Sequence, residues 1–309
     1  MSEESPPRGI RALGWNMPYL LLTLAVLFWS GNFIVGRAVA GDVPPVTLAF
    51  WRWTIGLVFI LALGHRQLRA DLPVLLRAWP VVILLSGLGI AVFNTLVYFG
   101  LQSTTAVNGL LLQSAMPLII LLFSFLLFRE APRLNQVIGV IISIIGVLAI
   151  ACQGDVAVLL SLAVNIGDVW ILLAVMSYAL YSALLRKRPA VQPFSFLAAT
   201  FLLGALMLVP LYAMELRAGL RIAPQPGSYL AILYVALFPG FLSYLFYNRG
   251  VELVGANRAG HFMHLMPVFG SLLAVGFLGE TIQGFHLAGI ALIGGGIFFA
   301  MLGRRAGPA

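Results

Sequence analysis

Ten apolar stretches, each long enough to cross a lipid bilayer as a helix, make up most of this sequence. A helix needs about 20 mostly apolar residues to span the hydrocarbon core. The stretches cover residues 17–37, 44–64, 79–99, 106–128, 134–153, 167–186, 193–214, 228–249, 257–278 and 283–303. Because the links between them are short, there is no room for a soluble catalytic domain. The pattern predicts an all-α integral membrane protein with ten transmembrane helices.

The composition excludes several other classes of protein. Hydrophobic residues make up 61% of the chain and charged residues only 9%, whereas soluble domains are ~45–50% apolar and ~25% charged. The lone cysteine, Cys152, permits neither an intrachain disulfide nor a cysteine-based metal cluster. No RNA-binding or zinc-finger spacing indicates a nucleic-acid partner. We therefore expect no metal, no cofactor and no nucleic acid, and a lipid bilayer around the protein.

The basic residues predict the orientation of the chain. With ten spans, Arg52 lies within a span, and most of the 18 Lys and Arg residues fall on the side of the N-terminus. The opposite side holds only Arg37, Arg217 and Arg221. Since cytoplasmic loops are enriched in Lys and Arg, both termini are predicted to be cytoplasmic, with tails at 1–16 and 304–309.

The second half of the sequence repeats the first at a shift of 149–150 residues. Matching pairs at a shift of 150 include Gly100 and Gly250, Met116-Pro117 and Met266-Pro267, Glu130 and Glu280, and Gly139 and Gly289. Each half, 17–155 and 156–303, contains five predicted spans, and because five is odd, the second half enters the membrane from the opposite side. Such an inverted-topology repeat is typical of secondary transporters, in which a central site faces each side of the membrane in turn.

These features resemble a known family. Each half has a proline midway along its fourth helix, a glutamate at the end of that helix and spaced glycines in its fifth helix. Segments 28–33 and 50–52 are also similar to the family's first and second helices. Over nearly its whole length the chain resembles the EamA-type drug/metabolite transporters, and among them the YddG-type aromatic amino-acid exporters most. The resemblance implies a bacterial inner-membrane protein that exports aromatic or hydrophobic amino acids, or similar small metabolites, by alternating access.

Aromatic and amide residues recur at equivalent positions of the two halves and are candidates for substrate binding. Trp29 and Asn32 in the first helix map onto Tyr178 and Tyr181 in the sixth, and Asn94 and Tyr98 in the third map onto Tyr244 and Asn248 in the eighth. Spacings of three or four residues direct each pair to one side of its helix. We expect them, with Gln113 and Ser114 of the fourth helix, to line a neutral cavity for a small amphipathic molecule. Aromatic belts at the membrane interfaces and ordinary packing are the alternative.

His261 and His264 are further candidates because they share one face of the ninth helix. They could contact substrate or sense protons, or instead form hydrogen bonds between helices. Two histidines alone lack the third and fourth ligands that zinc needs. No acidic residue is predicted at mid-membrane, where proton-coupled carriers commonly place one. A facilitator driven by the substrate gradient is the simpler hypothesis, and a histidine relay is the other.

Arg52 and three prolines complete the candidates within the spans. An intramembrane arginine is a functional candidate by default, yet it can also snorkel to the interface or stack on tryptophan, and we favour a structural role. Pro117, Pro239 and Pro267 each interrupt a helix in mid-span and are predicted gating hinges, with a static kink as the alternative.

Small residues in the fifth and tenth helices indicate close helix packing. The packing could be internal or against a second copy, so monomer and homodimer are both open. Among other functions, a channel-like pore has no sequence exclusion. An intramembrane enzyme would need a catalytic motif such as HExxH or GxSxG, and the sequence contains neither.

Overall fold

The computed structural model describes residues 15–152, 165–278 and 284–302, and all regular structure in these ranges is helical. In chain order the helices are α1 (Pro18–Ala38), α2 (Pro45–Arg77), α3 (Trp79–Ser103), α4 (Ala106–Gln113 and Met116–Phe128), α5 (Leu134–Ala151), α6 (Ile166–Leu184), α7 (Pro193–Arg217), α8 (Pro226–Val254), α9 (Ala256–Gly260, His261–His264 and Leu265–Leu278) and α10 (Gly284–Met301). The expected boundary between the halves at 155–156, Glu280, the tail at 304–309 and nearly all of the tail at 1–16 lie outside the described residues.

Eight of the described helices are long and apolar enough to cross a membrane. Leu134–Ile150 is a shorter apolar helix, and α9 is divided by a 3-10 turn at His261–His264. Several helices begin with a proline in the first turn, where the missing N–H group costs nothing. These prolines are Pro18, Pro45, Pro80, Pro193 and Pro226. An all-helical membrane protein is therefore confirmed, while ten crossings and two cytoplasmic termini stay predictions.

The second helix is longer than the sequence predicted. Its expected span was 44–64, but the helix continues to Arg77 and is about 50 Å long at 1.5 Å per residue. The end of α2 therefore extends past a hydrocarbon core of ~30 Å. There the Asp71 carboxylate accepts a hydrogen bond from the backbone N–H of Gln192, just before α7, at 2.9 Å.

Irregular turns occur at equivalent positions of the two halves. A π-helical turn at Gly87–Val92 in α3 matches one at Ala236–Leu242 in α8. The break after Gln113 in α4 matches the 3-10 turn at His261–His264 in α9. The two halves therefore share departures from regular helix as well as residues.

The fifth and tenth helices pack against each other so closely that only glycine fits at the contact. A methyl group added to Gly139 would lie 2.5 Å from the carbonyl oxygen of Gly296, and one added to Gly146 would lie 2.7 Å from that of Gly289. Because 139 is equivalent to 289, and 146 to 296, exchanging the halves maps this antiparallel contact onto itself. These four glycines of α5 and α10 therefore pack internally, whereas nothing lies within 4 Å of a methyl group added to Gly294 or Gly295.

The triple glycine of α10 provides a sharp test of this contact. We expect Gly296→Ala to lower the melting temperature in detergent by several degrees, because its methyl group would overlap Ser143 and the Gly139 backbone and overpacking costs about 1–3 kcal/mol. Gly295→Ala is the matched control, since nothing lies within 4 Å of a methyl group there. It should leave the melting temperature unchanged or raise it, because alanine favours helix. Equal effects of the two variants would contradict the packing described here.

Candidate substrate-binding site

A narrow cavity lies between α1, α3, α4, α6 and α9, and in this conformation it has room for about one water molecule. Aromatic rings, methionines and three amide side chains form its walls. The lining residues are Trp29, Asn32, Phe33, Phe93, Asn94, Gln113, Met116, Tyr178, Met263 and Met266. None of them carries a charge. Apolar walls with a few fixed polar groups are typical of sites for small molecules.

One hydrogen bond recurs in both halves with its partners exchanged. The Tyr98 hydroxyl of α3 donates to Oδ1 of Asn32 in α1 at 2.8 Å, and the Tyr181 hydroxyl of α6 donates to Oδ1 of Asn248 in α8 at 3.0 Å. Position 32 is equivalent to 181, and 98 to 248, so each asparagine has a tyrosine as its counterpart. The repeat in the sequence therefore corresponds to two matched, buried Asn–Tyr pairs.

Arg52 joins the first of these pairs and is fully buried. Its Nη1 donates to Oδ1 of Asn32 at 2.7 Å and to the Tyr98 hydroxyl at 2.9 Å. Its Nη2 donates to the carbonyl oxygen of Pro239 at 2.7 Å. The guanidinium carbon also lies 4.7 Å from the ring centre of Trp53. Of the two alternatives for Arg52, stacking on tryptophan is confirmed, and snorkelling is wrong because the side chain has no exposed surface.

Backbone carbonyls of the two π-helical turns accept hydrogen bonds from other helices. The Pro239 carbonyl accepts from Nε1 of Trp29 at 2.9 Å, in addition to Arg52. At the equivalent position, the carbonyl of Gly89 accepts from the Tyr244 hydroxyl. Pi-helical turns interrupt the regular hydrogen-bond ladder of a helix, and proline has no N–H to contribute to it. The irregular turns therefore let side chains of α1, α2 and α8 bind the backbone of neighbouring helices.

Trp29 is surrounded by tyrosines from the second half. Its ring centre is 5.5 Å from that of Tyr178, 5.7 Å from Tyr244 and 5.1 Å from Tyr247. The first two contacts are edge-to-face, an arrangement that aromatic pairs favour. Asn94, in the cavity wall, connects to this cluster by donating from Nδ2 to the Tyr244 hydroxyl at 3.2 Å.

Three polar atoms in the cavity wall have no hydrogen-bond partner among the described residues: Oδ1 of Asn94, Nε2 of Gln113 and the hydroxyl of Tyr178. Leaving a buried polar group unpaired costs about 1–3 kcal/mol, so such groups are rare in native proteins. They comprise an acceptor, a donor and a group that can act as either. These residues therefore offer both donor and acceptor groups to a solute.

The histidine pair lies beside the cavity wall rather than in it. In a 3-10 turn residues three apart share a face, which places His261 and His264 together and Met263 on a different face. Met263 lines the cavity, and neither histidine does. Both are buried, and none of their four ring nitrogens has a hydrogen-bond partner in the described ranges. Their contact with substrate stays a prediction, and the alternative of hydrogen bonds between helices is not seen in the described ranges.

The three predicted hinge prolines all lie at helix irregularities. Pro117 is in the first turn of Met116–Phe128, just after the break in α4. Pro239 lies inside the π-helical turn of α8, and Pro267 follows the 3-10 turn of α9. Movement about these positions stays a prediction.

The fourth and ninth helices cross at the cavity and touch on both sides of it. A methyl group on Gly260 would lie 2.9 Å from Cδ1 of Ile120, and one on Gly270 would lie 2.6 Å from Cδ1 of Leu110. Position 110 is equivalent to 260, and 120 to 270, so the two contacts correspond to each other in the two halves. In both, α9 supplies a glycine and α4 a branched aliphatic side chain. We name them the 120/260 contact and the 110/270 contact.

Five predicted site residues line the cavity: Trp29, Asn32, Asn94, Gln113 and Tyr178. Four others, Tyr98, Tyr181, Tyr244 and Asn248, are buried in the adjoining hydrogen-bonded and aromatic contacts. The structure thus brings nine of the predicted residues together, although their role in binding a solute is still to be tested.

The sequence interpretation missed other wall residues, namely Phe33, Phe93, Met116, Met263 and Met266. The repeat carries a signal for Met116 and Met266, which are equivalent and each precede a mid-span proline. The two phenylalanines carry no such signal, because an apolar residue in an apolar helix looks the same whether it faces lipid, core or cavity.

Comparisons with known proteins agree with this architecture. A solved crystal structure matches with a TM-score of 0.74, covering 93% of this chain and 97% of the other at 23% sequence identity, and so shows the same fold. Among relatives, the uncharacterized transporter YyaM of Bacillus subtilis (strain 168) is 27% identical over 89% of this chain and 90% of its own length. The uncharacterized transporter YetK of the same organism is 26% identical over 93% of this chain and 87% of its own length. An uncharacterized transporter of Archaeoglobus fulgidus is 24% identical over 90% of this chain and 95% of its own length.

A helical membrane protein with two matching halves and a mostly apolar cavity lined by residues of both halves is typical of transporters. The sequence model of the EamA-like transporter family matches this chain twice, at residues 16–152 and 165–302. The chain belongs to the EamA-like transporter family and is a membrane transporter of small molecules.

Proposed function

We propose that this transporter exports aromatic or other hydrophobic amino acids by alternating access, as a facilitator without ion coupling. The observation that carries the proposal is the uncharged cavity wall, which combines aromatic rings with unpaired polar atoms. An aromatic side chain would pack against Trp29, Phe33 and Phe93. The α-ammonium group would donate to Oδ1 of Asn94, and the carboxylate would accept from Nε2 of Gln113. Another small amphipathic metabolite is the nearest alternative.

The equivalence of the two halves supports alternating access. Inverted repeats alternate by exchanging the conformations of their halves around a fixed site. The 120/260 and 110/270 contacts lie on opposite sides of the cavity and correspond to each other, as a pair of alternating gates requires. We propose that the chain lies in a bacterial inner membrane with both termini cytoplasmic, which places the 120/260 contact on the cytoplasmic side.

The absence of ion coupling rests on where the acidic residues lie. The most buried described acid, Glu215, is bound to the first turn of α2, where its carboxylate accepts from the backbone N–H groups of Val46 and Thr47. In the described ranges no carboxylate lines the cavity. We therefore propose the gradient of the solute itself as the driving force.

Exchange of labelled L-phenylalanine in proteoliposomes tests the proposal. With unlabelled amino acid inside and no pH gradient, we expect saturable uptake that internal substrate accelerates. Gln113→Leu should lower the exchange rate by about tenfold, because it removes a donor to the carboxylate. Gln102→Leu is the matched control at an exposed position and should leave the rate unchanged.

Each other outcome contradicts a specific part of the proposal. Flux that neither saturates nor responds to internal substrate would indicate a channel. Uptake that requires a pH gradient would contradict uncoupled transport and turn attention to His261 and His264. No flux under either condition would exclude L-phenylalanine as substrate.

A further inference from the structure

Arg52 is a buried cation without an acidic partner in the part of the chain that the structure describes. The ion pairs found there involve Arg186, Arg188 and Arg249, not Arg52. Its charge is stabilised by the Asn32 amide, the Tyr98 hydroxyl and the Pro239 carbonyl, and by the face of the Trp53 ring. Its Nε has no hydrogen-bond partner among the described residues. A cation deep in a membrane protein is expensive and ordinarily paired. Because no acidic side chain in the described ranges neutralises it, the positive charge of Arg52 raises the electrostatic potential at the groups next to it.

Asn32 connects Arg52 to the cavity. Arginine has only donors, so the Asn32 oxygen must face the guanidinium, and the Tyr98 hydroxyl donates to the same oxygen. The remaining polar group of Asn32, its NH2, is therefore left for the cavity that this residue lines. Two donors on the oxygen also polarise the amide and strengthen the NH2 group as a donor.

The second half has no such charge. Asn248 makes the equivalent bond with Tyr181, but the position equivalent to Arg52 in α7 is Phe201, at a shift of 149. Phe201 packs on Trp53 with ring centres 4.6 Å apart. The symmetry of the Asn–Tyr pairs is thus broken by one guanidinium, which makes the first-half end of the cavity electropositive.

We propose that Arg52 is a positioning residue that gives the cavity a preference for solutes bearing a carboxylate, which accepts a hydrogen bond from the NH2 group of Asn32. This proposal deepens the proposed function, on which it rests, by assigning one end of the solute to one end of the site. The carboxylate accepts from Asn32 in addition to Gln113, and the ammonium group lies toward Asn94.

Ligands that carry only one of the two charges test this assignment. Binding of labelled L-phenylalanine to the purified full-length chain is displaced by 3-phenylpropionate, which lacks the ammonium group, or by 2-phenylethylamine, which lacks the carboxylate. For the unmodified protein we expect 3-phenylpropionate to bind about tenfold more tightly than the amine, as a charge-assisted hydrogen bond implies. Arg52→Lys, which retains the charge, should keep this order, and Arg52→Gln should abolish it.

Asn32→Asp is a second variant that should still fold, because a carboxylate oxygen can accept the hydrogen bonds from Arg52 and Tyr98. It neutralises the guanidinium and replaces the donor in the cavity with an acceptor, so the amine should now bind more tightly than 3-phenylpropionate. A merely structural role of Arg52 would weaken both ligands alike. Asn248→Asp is the matched comparison without an arginine, and it should lower stability without reversing the order.

The outcomes separate this proposal from the proposed function. If L-phenylalanine binds but the two analogues bind equally, or Asn32→Asp leaves their order unchanged, the role of Arg52 is overturned and the amino-acid substrate stands. If L-phenylalanine does not bind, the amino-acid proposal fails. The rise in melting temperature on adding small carboxylates is then compared with the rise on adding small amines. If the two rises are equal, or if carboxylates give none, the proposed role of Arg52 is overturned.

Discussion

Gly260→Leu and Gly270→Leu should each abolish exchange yet trap the transporter in opposite conformations. A leucine at 260 cannot coexist with Ile120 in the 120/260 contact, and a leucine at 270 cannot coexist with Leu110 in the 110/270 contact, since a methyl group already overlaps there. Each substitution acts as a wedge on one side of the cavity. We expect the exchange rate to fall by more than about tenfold in both variants, because holding one conformation prevents the cycle.

A cysteine in the cavity wall reports which side is open. In a Cys152→Ser background, Met116→Cys should react with a membrane-impermeant maleimide from the cytoplasmic side in the Gly260→Leu variant. It should react from the opposite side in the Gly270→Leu variant. Gly227→Leu is the control, since nothing lies within 4 Å of a methyl group at that position, and it should change neither exchange nor labelling.

A compensating change completes this test. Adding Ile120→Gly to Gly260→Leu restores one large and one small residue at the same contact, so exchange should partly recover. Labelling from the same side in both leucine variants would contradict the assignment of the two contacts as alternating gates. Wild-type exchange in either variant would exclude that contact as a gate.

Loss of Glu215 should destabilise the protein more than loss of any exposed acid. This buried carboxylate accepts from the backbone N–H groups of Val46 and Thr47 at 2.9 and 2.7 Å, and from the Thr47 hydroxyl at 2.7 Å. The residue before α2, Pro44, provides no side-chain cap, so Glu215 takes over that role from another helix. Negative charge at a helix N-terminus also favours the helix dipole.

We expect Glu215→Ala to cost about 3 kcal/mol or more, since several buried donors lose a charged acceptor at once. The apparent melting temperature in detergent should fall by roughly 5–10 °C, and Glu215→Gln should give an intermediate value. Glu252→Ala is the matched control, because its partly exposed carboxylate pairs with Arg188 and Arg249 and surface ion pairs contribute only about 0–1 kcal/mol. Equal shifts for the two alanine variants would contradict the capping role.

The sequence predicted the helical membrane architecture well because apolar length and the repeat are both readable without tertiary information. It also directed attention to the right helices: the equivalent positions of Trp29, Asn32, Asn94 and Tyr178 lead into one cavity. Helix α2 was predicted to end too early, because a polar segment that continues a helix beyond the membrane gives no hydropathy signal. Glu130, expected at the end of the fourth helix, lies between α4 and α5 and pairs with Arg186.

The hydrogen bonds of Arg52 could not be predicted, because its partners come from three other helices. One of them, the Pro239 carbonyl, is a backbone group that no pattern of side chains reveals. The 3-10 turn in α9 was also not predicted from the sequence. It keeps His261 and His264 on one face, as expected, and places Met263 in the cavity wall.

The lone arginine has a consequence for why both halves reside in one polypeptide. A transporter assembled from two identical copies of a single half would carry a guanidinium at both ends of its cavity. A molecule with one carboxylate could then bind equally well at either end. When both halves are part of one chain, their sequences can differ, so that one half has arginine where the other has phenylalanine. With the role proposed for Arg52, the single chain would hold its solute in one orientation, whereas an exact dimer of halves would offer two equivalent orientations.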